Sequence, residues 1–190
     1  MPLSEQRQEL YCAIGEAITS WAAVEDRLAD IFAYFVTGDG NSFPAKAAFH
    51  AVVNFREKLA MTDDAAEWRI TGADLARWKT IFGTLGGLAT QRNKIVHFTL
   101  IRSRRLPRQR TSRYYLSPSL QNVTAHMRGV EPPKLSAKDI TQRAQGFRTL
   151  ATDLSEFAVA IGATPQEPLP EFLAQLERNR SRGHAARGVI

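Results

Sequence analysis

Residues 74–98 read DLARWKTIFGTLGGLATQRNKIVHF, and the period of that stretch decides the fold. Apolar side chains fall at Leu75, Trp78, Ile81, Phe82, Leu85, Leu88, Ala89, Ile95 and Val96, the three-and-four spacing of one helical face. The spacing predicts a helix from Asp74 to about Phe98. Gly86 and Gly87 interrupt its middle, each costing about 1 kcal/mol relative to alanine. The return expected for that cost is close approach of a neighbouring helix, with a local kink as the alternative.

The same periodicity extends on both sides. Leu10, Ile14, Ile18, Trp21, Val24, Leu28, Ile31, Phe32 and Phe35 predict a first helix from about Ser4 to Phe35, roughly 45 Å long at 1.5 Å per residue. Gly38-Asp39-Gly40 ends it. A second helix is expected after Ser42, with Pro44 tolerated in its first turn. It runs through Phe49, Val52, Val53, Phe55 and Leu59 to about Trp68. The fourth opens at Ser136, whose spacing to Asp139 resembles a capping box, and carries Ile140, Ala144, Phe147, Leu150, Leu154, Phe157 and Ile161. Between Thr99 and Pro133 the helical pattern stops, and Pro107, Pro118, Pro132 and Pro133 exclude a long helix. Phe98–Ile101 and Arg113–Leu116 are β-prone runs able to pair as a hairpin. The expected architecture is all-α. It is a long four-helix bundle over 4–163, with an irregular or β-hairpin insertion at 99–134 and a basic, mobile tail at 164–190.

Hydrophobic residues make up 44% and charged residues 23% of the 190 residues, which is globular composition. No apolar run approaches the roughly 20 residues of a membrane span. The start, Met1-Pro2-Leu3-Ser4-Glu5-Gln6-Arg7, has no secretory pattern, so a cytoplasmic location and no membrane partner are expected. A single cysteine, Cys12, excludes an internal disulfide and a Cys-rich zinc site. His50, His126 and His184 show no ligand spacing, so no metal or other cofactor is expected. The net charge is +6, and its placement is uneven. Arg102, Arg104, Arg105, Arg108, Arg110 and Arg113 crowd the insertion without a carboxylate between them, and Arg128 follows. Arg178, Arg180, Arg182 and Arg187 make a second cluster in the tail. Such clusters can meet phosphates, or can simply keep a loop solvated.

The chemistry-bearing residues lie at the end of the third helix. Arg92 follows Leu88 by four and Ala89 by three, which places a guanidinium on the apolar stripe. There it must be paired or face a cleft. Asn93 and His97 are four apart and can meet on one face. His97 lies about 140° around the helix from Arg92. An imidazole can act as general acid or base, and a guanidinium can neutralise charge on a phosphate. The structural alternatives are equally concrete. Arg92 can be the ion-pair partner of Glu25, beside the apolar face of helix one, and His97 can complement the helix C-terminus. Trp21 and Trp78 read as core residues. Tyr114-Tyr115 beside Arg113 can stack bases or pack the hairpin.

An Arg-Asn pair with a histidine shortly after, closing a bundle helix, resembles the Arg-x4–6-His signature of HEPN domains. Trp21-Ala22-Ala23-Val24-Glu25-Asp26-Arg27-Leu28 on a long first helix is similar to the opening of bacterial HEPN-like proteins. Phe49 and Phe55-Arg56-Glu57-Lys58-Leu59 on the second extend the likeness. It covers about Ser4 to His97 and the last helix, not the insertion or tail. The resemblance implies a homodimer with two motifs across one cleft, and a metal-independent endoribonuclease of toxin or defence type. In that family's chemistry His97 assists attack by the RNA 2′-hydroxyl, Arg92 stabilises the transition state, and Asn93 supports them. A cognate antitoxin or other protein partner would accompany it. The alternative is a non-catalytic HEPN-like bundle that binds protein or nucleic acid.

Overall fold

The computed structural model describes residues 3–102, 114–118 and 133–163. They form five helices and one hairpin: α1 (Leu3–Thr37), α2 (Phe43–Ala51), α3 (Phe55–Arg69), α4 (Gly72–His97), β1 (Phe98–Arg102), β2 (Tyr114–Pro118) and α5 (Ala137–Ala160). The chain is all-α with a β-hairpin inserted before the last helix. No described helix is long and apolar enough to cross a membrane.

Helix α1 is the central rod. It buries Leu10, Ala13, Ala17, Trp21, Val24, Leu28, Ile31 and Phe35 on one stripe, and ends where Gly38 turns to φ +80° and its amide bonds the Tyr34 carbonyl. A left-handed residue just past the last turn is the usual way to satisfy a helix's final carbonyls. Gly40 has a second duty. A Cβ there would lie 2.3 Å from the Ala163 carbonyl oxygen, so the turn after α1 packs backbone to backbone on the end of α5.

The second predicted helix is two helices. Its stripe is interrupted at Val52-Val53-Asn54, where the backbone is extended and Asn54 caps α3, its side chain accepting from the Arg56 amide at 3.0 Å. Local cap chemistry thus overrides a continuous apolar pattern. The break lets α3 start beside Trp21, through the Phe55 ring at 4.8 Å, and end beside Tyr34, under the Arg69 guanidinium at 5.2 Å. Helix α3 therefore runs parallel to α1, and α4 returns antiparallel, with Trp78 against Phe35 and Arg92 against Glu25. Helix α5 opens with the expected capping box, Ser136 and Asp139 bonding reciprocally, and packs along α1 from Glu16 to beyond Trp21.

The core joins all of these. Trp21 meets Phe55 and Phe147, and Trp78 meets Phe35 and Phe157, both indoles fully packed inside. Strand β1 continues directly from α4 and pairs antiparallel with β2, Leu100 opposite Leu116. Leu116 also bridges Leu135, and both are buried, so the hairpin is tied into the core rather than standing on it. Among the described residues, the close helix contact expected at Gly86-Gly87 is not there. Both face open space, with nothing within 4 Å of a built Cβ, and α4 runs unbroken through them.

Candidate functional site: a cleft at the end of α4

Ile95 sets the rotation of the last turns of α4. It is buried in the core, which turns Lys94 outward and holds Arg92, Val96 and His97 at the rim. Arg92 is not sunk in the stripe as its spacing suggested; its side chain keeps 28% of its surface. Its Nη2 donates to Glu25 Oε1 at 3.0 Å, its Nη1 donates to Asn93 Oδ1 at 3.1 Å, and its guanidinium lies over the Trp21 ring at 5.7 Å. The Glu25 partnership anticipated from the sequence is therefore present.

Glu25 is the hub. Oε1 also accepts from Trp21 Nε1 at 2.7 Å, and Oε2 accepts from Lys58 Nζ at 2.8 Å. Burial pushes its carboxyl up, but the Lys58 and Trp21 hydrogen bonds and the charges of Lys58 and Arg92 outweigh that, and its pKa lies below the usual carboxylate value. Lys58 is itself buried, over the Phe49 ring. The family likeness at Phe55-Arg56-Glu57-Lys58-Leu59 implies no role for it. Its signal was position: it falls three after Phe55 and four before Thr62, on the buried face of α3. A lysine there requires a carboxylate.

Two cavities meet at Arg92. The larger, of about 680 Å³, is lined by Arg92, Asn93 and His97 from α4 and by Asn54 and Arg56 from the α3 side. The smaller, of about 340 Å³, lies on the other side of Arg92, between Ile18, Ala22 and Asp26 of α1, His50 of α2 and Val96. Arg92 and His97 do line one cleft, with Asn93 between them. The Asn93–His97 hydrogen bond allowed by their spacing is not formed; the Asn93 oxygen accepts from Arg92 instead. His97 is exposed and, among the described residues, makes no side-chain hydrogen bond or ion pair. The amide that closes α4 is that of Phe98, bonded to the Lys94 carbonyl, so His97 does not cap the helix by a side-chain bond.

Of the basic insertion, Arg102 is exposed at the end of β1, opposite Tyr114. Arg104, Arg105, Arg108, Arg110 and Arg113 lie outside the described residues, as does the tail at 164–190. Tyr114 packs against the core and Tyr115 lies under Lys134 Nζ, so both rings have protein neighbours. Among the described residues no group of three His, Cys, Asp or Glu could hold a metal ion. Asn54 and Arg56 are the cleft residues that sequence reasoning missed. Their signal was Asn54 with Glu57 three residues on, the cap that starts a new helix at Phe55. Comparison with protein families, with curated proteins and with solved structures finds no match to this chain.

Proposed function

We propose that the chain is a HEPN-like, metal-independent endoribonuclease that acts in the cytoplasm as a homodimer, of toxin or defence type with a cognate protein partner. The observation that carries this reading is the shared cleft. Arg92, Asn93 and His97 line one open cavity with Arg56, and among the described residues no carboxylate lines it. A phosphodiester is the ligand such a surface favours. In this reading the His97 imidazole takes the proton from an RNA 2′-hydroxyl, the O2′–P bond forms, and the P–O5′ bond breaks. The 5′-oxygen is protonated from solvent, leaving a 2′,3′-cyclic phosphate. Arg92 meets the charge that grows on the non-bridging oxygens, and Glu25 and Asn93 hold its guanidinium in place. Incubation with mixed RNA in EDTA tests it: cyclic-phosphate ends are expected, and are lost in His97→Ala. Intact RNA with folded wild-type protein sinks the reading.

One observation favours a second reading, a non-catalytic module that binds protein or nucleic acid. Arg92 is already engaged by Glu25 and Asn93, a geometry that also serves to fix the register of α1 against α4. Under that reading Arg92→Ala lowers the melting temperature while binding persists in the folded fraction.

A further inference from the structure

The cleft has a wall on α3 that the roles of Arg92, Asn93 and His97 leave unused. Arg56 lines it, is exposed, and has no side-chain hydrogen bond or ion pair among the described residues. The charge of Arg92, by contrast, is met by Glu25. Among the described residues, the uncommitted cation of the cleft is therefore Arg56. Beside it stand Val53, 97% exposed, and the half-buried Phe82, an apolar surface next to a cationic one. Gly86, also in the lining, leaves the groove open, since a Cβ there would meet no described atom within 4 Å. The volume of about 680 Å³ falls within the range of small-ligand sites. An unpaired base can turn onto an apolar wall while its phosphate meets a guanidinium, which a base held in a duplex does not do.

We propose that Arg56 is a binding residue of this cleft, holding a phosphate of single-stranded RNA next to the one presented to Arg92 and His97, in a groove that Gly86 keeps open for the nucleotide between them. The ligand class rests on the ribonuclease reading; the residue and its position rest on the charge and shape of the cavity.

The test separates the two. A fluorescein-labelled, fully 2′-O-methylated RNA strand has no nucleophilic hydroxyl, so its binding is read by anisotropy without cleavage. Arg56→Gln is expected to weaken binding by about tenfold, the order of one charge-assisted contact. It should also reduce the slope of log K against log salt by about 0.7, one phosphate on a single strand. Arg77→Gln, at the far end of α4, should leave both unchanged. Gly86→Leu should weaken binding at an unchanged or raised melting temperature. Wild-type affinity and salt slope in Arg56→Gln overturn the proposal, as does failure of folded wild-type protein to bind the strand. An all-ribose strand is assayed in parallel below saturation. Arg56-dependent binding without cleavage leaves the proposal standing and removes the ribonuclease reading. Equal cleavage by wild type and Arg56→Gln does the reverse.

Discussion

Glu25 and Arg92 stand 67 residues apart in the chain and are joined at 3.0 Å, Oε1 to Nη2. The pair is asymmetric. Glu25 holds three donors, from Arg92, Lys58 and Trp21, whereas Arg92 is the partner nearest the cleft. Removing Arg92 leaves the carboxylate with Lys58 and Trp21. Removing Glu25 leaves a buried lysine without its charge partner. Glu25→Ala should therefore cost about 3 kcal/mol and Arg92→Ala about 1 kcal/mol, measured by urea denaturation. Equal losses, or a larger one at Arg92, would show that Lys58 draws its stability from elsewhere.

The same carboxylate sets an acid limit on the fold. Its pKa is lowered on folding, so the ionised form is favoured in the native state. That stability is complete above the ordinary carboxylate value of 4.5 and is lost as pH falls through the lower native value. A Glu25→Gln variant should lie below wild type near neutral pH, with the gap narrowing on acidification below about pH 4.5. Parallel stability curves from pH 7 to 3 would contradict this assignment.

His97 offers the cleanest separation of activity from folding. It is exposed and engages no other described side chain, so His97→Ala should change stability by under about 0.5 kcal/mol. On the ribonuclease reading it should lower cleavage by about a hundredfold or more, the usual worth of a positioned acid–base group. Calorimetry alongside single-turnover cleavage checks both halves. Cleavage that survives intact in His97→Ala would move the chemistry away from this histidine.

The long helices were legible because their burial follows one period. Most of Leu10 through Phe35, Trp78 through Leu85 and Ile140 through Phe157 packs as spaced, but Ile18, expected on the buried stripe of α1, is 47% exposed and Ile14 is half-buried. The hairpin was legible from β-prone runs, and its register pairs Leu100 with Leu116. What the period hid was the break in the second helix. Val52 and Val53 continue an apolar run, and only Asn54, with Glu57 three residues on, signals a cap. The site suffered for the same reason. With one helix running through 52–54, Arg56 and Lys58 are two more surface charges; with the break, one lines the cleft and the other sits under Glu25. Glu25–Arg92 was legible because an arginine on an apolar stripe demands a carboxylate.

Gly87 carries the last prediction. It is exposed, sits within α4, and a Cβ there would meet no described atom within 4 Å. Gly87→Ala should raise stability by about 1 kcal/mol, through helix propensity and a less flexible unfolded chain. Gly40→Ala should do the opposite, because its Cβ would meet the Ala163 carbonyl oxygen at 2.3 Å. Thermal melts of the two variants, at several protein concentrations, make the comparison. A loss at Gly87 that grows with concentration would mean that this face of α4 is covered by a second copy. The close helix approach expected from the glycine pair would then exist between chains.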